Sequence, residues 1–281
     1  MTTETRVAEH YTLGKLEEAV LRAITQSGKD ASRLGFADLA TMDEFHVGGL
    51  EATKSVAAHM ELHRGLRLLD VGSGIGGPAR YFAAEHNCSV VGIDLTEEFV
   101  QVASSLTRIV KLEHLAEFRH ASALEIPFAS ETFERAYMMH VGMNIADKAG
   151  VFREVRRVLK NDGIFAVFDI VRTGVNGSLR YPLPWAMTEE TSFVSEIEDY
   201  REALERAGFR IGQEHNRREF AIDFLKKSMS RMASSGSPVL GIQLLMGDQT
   251  QEILKNVLTL MEENVLEPVE LYAHAVPRPL H

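Results

Sequence analysis

Cysteine is nearly absent from this chain. Cys88 stands alone among 281 residues, so an internal disulfide is excluded and a reducing compartment is expected. Lying just before the apolar run at 90–93, it reads as a small core residue. Long apolar runs are missing as well, and none approaches the roughly 20 residues needed to span a bilayer. The opening residues Met1-Thr2-Thr3-Glu4-Thr5 hold no apolar stretch of the kind a signal peptide carries. Positive charge is scarce: 30 lysines and arginines face 40 acidic residues, for a net charge of −10. No basic block interrupts that balance, which argues against a nucleic-acid partner, since phosphates require a basic surface. Neither G-x-S-x-G nor G-K-[S/T] occurs, so elbow-type serine hydrolases and P-loop nucleotide enzymes are excluded. His59 and His63 sit four apart on an expected helix without an evident third ligand, and no metal is expected. Repeats, low-complexity tracts and Pro/Ser-rich linkers are lacking too. The expectation is a soluble, cytoplasmic protein that engages neither membrane nor nucleic acid.

What is present has the composition of a globular protein, 45% apolar and 25% charged. From Arg67 to about Gly212 apolar strand-like runs alternate with helical patterns, which predicts a mostly parallel sheet buried on both faces. Strands are expected at 68–71, 89–93, 116–120, 133–139 and 163–171, with further ones from Phe209 and at 269–276. Helices are expected at 51–62, 152–159 and 196–207, with Asn161-Asp162-Gly163 as a turn. The fold class is therefore α/β: a seven-stranded, mostly parallel sheet with helices on both faces and helical lid additions. Residues 1–65 read as an N-terminal helical lid and 66–281 as the core, with a helical insertion at 221–264, all in one compact domain. In Tyr181-Pro182-Leu183-Pro184-Trp185 two prolines remove ladder donors, so this stretch reads as a lid over the sheet edge.

The most informative run is Leu68-Leu69-Asp70-Val71-Gly72-Ser73-Gly74-Ile75-Gly76-Gly77, followed by Val90-Val91-Gly92-Ile93-Asp94. A buried strand, a glycine-dense turn, a helix and a second strand closed by an acid form a nucleoside-binding layout. Gly72, Gly74 and Gly77 satisfy G-x-G-x-x-G, which by itself does not separate dinucleotides from other nucleosides. Asp70 does. A carboxylate two residues before the first glycine repels a pyrophosphate, which favours a helix N-terminus free of negative charge. The same carboxylate suits S-adenosylmethionine, whose sulfonium and ammonium are cationic. That molecule is the expected cofactor, with Asp94 placed for its ribose hydroxyls. His140 closes the fourth expected strand, at the edge where ligands bind in open α/β sheets, and an imidazole there is the candidate general base. Met138, Met139 and Met143 cluster at the same edge, and Met139 and Met143 are expected to line an adaptable acceptor pocket. Trp185, the single tryptophan, is expected as one of its walls.

The run from Asp70 to Gly77, together with Asp94, resembles the first two motifs of class I S-adenosylmethionine-dependent methyltransferases, a Rossmann-like family. The resemblance continues through Ala121-Ser122-Ala123-Leu124-Glu125-Ile126-Pro127-Phe128 and through 153–160 with Gly163. Asp43 to Gly49 and Glu51-Ala52-Thr53 resemble the N-terminal lid of a small-molecule branch that includes sarcosine/dimethylglycine N-methyltransferases and natural-product sugar O-methyltransferases. The resemblance implies methyl transfer to a small-molecule acceptor, nitrogen or oxygen first, carbon or sulfur next, by in-line displacement in a closed pocket. It places the methionine end of the cofactor at Asp70 and the backbone of Gly72, Ser73, Gly74, Gly76 and Gly77. It places the ribose at Asp94, and the adenine beside Leu95, Ser122 and Ala123. It also implies that Tyr11 and the loop of His46, Gly48 and Gly49 close over the cofactor. Two departures stand out. Ser122 occupies a position often held by Asp, and His140 and Asn144 stand where relatives often show an acid and a histidine. Two other readings stay open at this point: a dinucleotide-dependent oxidoreductase and a non-catalytic binding protein of the same fold. Exposed helices at both ends leave a homodimer open.

Overall fold

The computed structural model describes residues 2–277; Met1 and residues 278–281, the outer ends of the two expected segments, lie outside the described residues. The chain opens with α1 (Thr3–Tyr11), α2 (Leu16–Gln26), α3 (Ala40–Asp43) and α4 (Gly49–Ala58). The alternating part follows as β1 (Arg67–Val71), α5 (Gly77–His86), β2 (Ser89–Asp94), α6 (Glu97–Ile109), β3 (Ala116–His120), β4 (Phe133–Met139), α7 (Lys148–Val158) and β5 (Leu159–Arg172). It closes with α8 (Ile197–Arg206), β6 (Phe209–Asn216), α9 (Arg218–Ser235), α10 (Gln243–Met246), α11 (Thr250–Glu262) and β7 (Leu266–Ala275).

The seven strands form one sheet in the order β3-β2-β1-β4-β5-β7-β6. Strands β1 to β5 run parallel, and β7 lies antiparallel between β5 and β6. The chain leaves β1 towards β2 on one side and reaches β4 on the other, so the order reverses beside β1. The crevice at such a reversal, outside the carboxyl ends of the strands, is where ligands bind.

Why these runs are strands follows from their two buried faces. In β1, Leu68 packs with Phe82, Val90 and Tyr137, whereas its neighbour Leu69 packs with Val91, Phe152 and Phe165 on the opposite side. Pro78 starts α5, where a missing N–H costs nothing. The side chain of Asp147 accepts from the Gly150 amide at 2.8 Å and so starts α7 a turn earlier than expected. The expected turn at Asn161-Asp162-Gly163 lies inside β5: Leu159 pairs with Phe133 and Ile164 with Arg135, so the intervening residues bulge out of the ladder. The expected helix at 51–62 begins at Gly49 and ends at Ala58. The lid segment makes one isolated bridge, Leu183 to Ala186, and buries Leu183 and Trp185 against Leu225, Leu254 and Leu260 of α9 and α11. No described helix is long and apolar enough to cross a membrane.

Arg80 ties the N-terminal segment to this frame. It is fully buried on α5 and donates to the Asp43 carboxylate at 2.7 Å, to the Ile75 carbonyl at 2.7 Å and to Thr107 Oγ1 at 3.0 Å. One guanidinium thus joins α3, the glycine turn and α6. Arg80→Met removes the cation and leaves the Asp43 charge buried, an uncompensated loss of about 3–5 kcal/mol. Urea denaturation is expected to show that drop in unfolding free energy; a drop near zero would contradict the assignment.

Candidate active site

At the carboxyl end of β1 the chain turns with positive φ at Gly72, Gly74 and Gly76. Only Gly72 and Gly74 of these line the cavity that opens there, together with Ser73. A Cβ on Gly72 would stand 2.4 Å from the Val141 side chain, while one on Gly74 would meet nothing within 4 Å. Gly74 therefore presents bare backbone to open space. Gly76 and Gly77, expected as cofactor contacts, serve packing instead. A Cβ at Gly76 would strike Phe118 at 2.6 Å, and one at Gly77 would strike the Asp43 carbonyl at 2.3 Å.

Asp94 at the end of β2 holds the turn. Its Oδ2 accepts from the Gly74 amide and its Oδ1 from the Thr96 amide, each at 2.8 Å. The carboxylate lines the cavity while doing so. Asp70 is 2% exposed, and its Oδ2 has no hydrogen-bond partner. Burial pushes its carboxyl well above the usual carboxylate range, and the neighbouring Asp94 adds to that rise. The cavity measures about 320 Å³, within the ordinary span of small-molecule sites. Its carboxylates are Glu4, Asp43, Asp70, Asp94 and Asp147, and among the described residues no lysine or arginine lines it. Leu95 and Ala123 line it as expected, with Ala121. Ser122 does not: its hydroxyl donates to Glu4 and accepts from the Leu124 amide at 3.0 Å, so the side chain is turned to α1.

Helix α1 closes this cavity with Thr3, Glu4, Val7 and Tyr11. The Tyr11 hydroxyl donates to Asn144 Oδ1 at 3.2 Å, joining lid to core. Met139, Met143, Asn144 and the buried Trp185 line the cavity too, and the indole N–H donates to Ser192 Oγ at 3.0 Å.

His140 follows β4 with φ +57, a left-handed backbone that aims the ring into the site. Its amide donates to the Phe168 carbonyl at 2.7 Å. The next two amides, Val141 and Gly142, donate to Asp169 at 2.8 and 3.0 Å, and the Tyr200 hydroxyl donates to the same carboxyl at 3.1 Å. Gly142 is required here, because a Cβ would lie 2.4 Å from both Asp169 Oδ2 and the Tyr200 oxygen. Burial pushes the Asp169 carboxyl up to about 7. The His140 Nε2 is buried without a partner, and burial, with His46 nearby, holds the imidazole pKa well below its ordinary value.

His46 stands 5.9 Å from His140, ring centre to ring centre and edge to face. Its Nε2 bonds Glu44 Oε2 at 3.0 Å; Thr53 donates to the same oxygen at 2.6 Å, and the His46 Nδ1 has no partner. With Nε2–H donating to the carboxylate, Nδ1 is an acceptor. Gly48 and Gly49 do not face the first cavity. They line a second, neighbouring one of about 700 Å³, and the Gly49 amide is taken by the His46 carbonyl at 3.1 Å. Glu44, Thr53 and Asp169 were not singled out from the sequence. Asp169 had a signal there, as a lone acid inside the apolar run of β5. His59 meets His215 and Glu270 within 4.8 Å and not His63, but Glu270 already accepts from the Tyr272 hydroxyl at 2.9 Å and faces Arg217 at 3.3 Å.

Residues 69–167 match a family model described as a methyltransferase domain. The chain is 27% identical over 173 residues to the methyltransferase GfsG of Streptomyces halstedii, covering 61% of this chain and 62% of that protein. It is 30% identical over 118 residues to a sterol 24-C-methyltransferase of Debaryomyces hansenii, covering 42% of this chain and 31% of the relative. The chain thus spans less than two thirds of the length of these curated relatives. Among solved structures, the [4+2]-cyclase SpnF aligns over 96% of this chain and 97% of its own, with a TM-score of 0.68 and 21% identity. Phosphoethanolamine N-methyltransferase 2 of Haemonchus contortus, solved with phosphomonomethylethanolamine and S-adenosylhomocysteine, aligns over 97% of this chain and 61% of its own. Its TM-score is 0.73 at 17% identity. Likeness at that identity speaks for the fold. With the strand order and glycine turn described above, the chain carries a methyltransferase domain at residues 69–167.

Proposed function

We propose that the protein transfers a methyl group from S-adenosylmethionine to a small-molecule acceptor. The observation that carries this reading is a cavity over the first glycine turn with five carboxylates, one of them, Asp70, deeply buried, and no lysine or arginine among its described lining residues. A dinucleotide would bring a pyrophosphate into that negative field; a sulfonium with an ammonium brings the opposite charge. Bound there, S-adenosylmethionine supplies an activated methyl group on a good leaving group.

The residues of this chain then bind and align. Asp94 takes the ribose hydroxyls with the lone pairs left by the Gly74 and Thr96 amides. Asp70 faces the cationic end, and Leu95 and Ala123 flank the base. Tyr11 and the rest of α1 cover the site and exclude water. His140, fixed by Asp169 through the two amides after it, accepts the proton of an acceptor that has one to lose. Alignment of the two reactants supplies most of the rate. The exposed Glu190 of the pair Glu189-Glu190 meets Arg6 at 3.5 Å, and neither acid lines the site.

Asp94→Ala is expected to weaken S-adenosylmethionine binding at least about tenfold, or about 1.4 kcal/mol, by calorimetry. Unchanged affinity would remove Asp94 from the site. Because burial raises the Asp70 carboxyl in the free protein and a cation favours its ionised form, binding expels a proton. Affinity is therefore expected to weaken as the pH falls through that raised value, and Asp70→Asn to flatten the profile. For His140→Ala, turnover is expected to fall by about 10²–10⁴ with cofactor affinity within a factor of about two. The lowered imidazole pKa places the acid limb of the native rate below the ordinary value of about 6.5; a limb above 7 would assign the proton transfer to another group.

A further inference from the structure

The second cavity is not used by anything above. It is the larger of the two, at about 700 Å³ against 320 Å³, and the two share Phe45, His46, His140 and Pro184 in their walls. The two imidazoles therefore stand at the partition between them. The far walls come from α9, α10 and α11 and are mostly apolar, with Phe224, Met232, Met246 and Val257, although Arg231 and Gln243 line them too. The insertion that brings these helices is fitted to the His46 loop, since a Cβ on Gly48 would stand 2.5 Å from the Phe220 ring.

We propose that this chamber binds the methyl acceptor, and that the acceptor is a bulky, mostly apolar molecule with one polar group at the end that meets His46 and His140. The proposal rests on the reading of the first cavity as the methyl-donor site. Volume is the first argument, because a compact amino acid or phosphoethanolamine would leave most of the chamber unfilled. Charge is the second. Glu44 is committed to His46 and Thr53, Glu51 is exposed and paired with Lys54, and Arg231 is exposed beside Ser228. A compact zwitterion in the interior would lose its water without gaining a partner. An apolar body loses nothing by entering, and Met232 and Met246 adjust to its shape. Unpartnered polar atoms of His46 and His140 stand at the partition, which favours a molecule anchored there by its polar end.

The test uses the full chain and farnesol as the apolar probe, read by displacement of 1-anilinonaphthalene-8-sulfonate fluorescence, with sarcosine and phosphoethanolamine as compact competitors. Ser228→Trp and Met232→Trp, two half-buried positions on α9, fill the chamber without opening the sheet. Farnesol is expected to displace the dye from the native chain and the compact polar molecules to leave it bound. Each tryptophan variant is expected to lower farnesol affinity at least tenfold while S-adenosylmethionine affinity, by calorimetry, stays within twofold; that retained affinity also shows that the variant is folded. Farnesol binding that both variants leave unchanged, or binding of the compact molecules in its place, would overturn the proposal. A native chain that binds farnesol in the chamber but no S-adenosylmethionine would overturn the donor-site reading, and with it the acceptor role of the chamber.

Discussion

The carboxylate of Asp94, shared between the amides of Gly74 and Thr96, is the contact on which the site depends. A glycine turn with positive φ at three positions has little conformational preference of its own, and something must hold it open toward the ligand. The next strand does so through one side chain. Strand β2 is registered on β1 so that Asp70 pairs with Gly92 and Val71 with Ile93, which leaves Asp94 one step beyond the ladder and level with the turn. The same device recurs one strand over. Asp169 of β5 takes the amides of Val141 and Gly142 and thereby fixes the exit of β4 that carries His140. Buried carboxylates satisfied by backbone amides are fixed points, because breaking either bond would strand a polar group away from water.

Charge differs between the two cavities at this edge. Asp70 and Asp94 lie on one side of the partition in a cavity that no lysine or arginine lines among the described residues, and the two imidazoles lie between that cavity and a mostly apolar chamber. Arg80 links the two parts, since it holds both the glycine turn and the segment leading to Glu44 and His46.

Much of this was legible from residue order. The strand at 133–139 falls where its apolar run placed it, because both faces of the sheet are buried there and the run is short and bounded by turns. The cavity lining at Asp70, Gly72, Ser73, Gly74, Asp94, Leu95 and Ala123 follows the spacing of the motif, since strand, turn and strand are contiguous in the chain. Gly76 and Gly77 stand outside that lining although they belong to the same motif. A glycine near a ligand and a glycine under a helix look alike in sequence, and only the positions of Phe118 and Asp43 separate them. The turn of Ser122 toward Glu4 is not legible in sequence, because that partner lies on a helix 118 residues away.

The sequence by itself determined the strands, the turn and the acids beside it, because each rests on neighbours in the chain. Tertiary structure alone decided that Glu44 and Thr53 orient His46, that Asp169 positions His140, and that helices from the last third of the chain wall a second chamber. Those contacts join segments far apart in sequence, and nothing in the local pattern of either partner records a hydrogen bond that exists only once the sheet has brought them together.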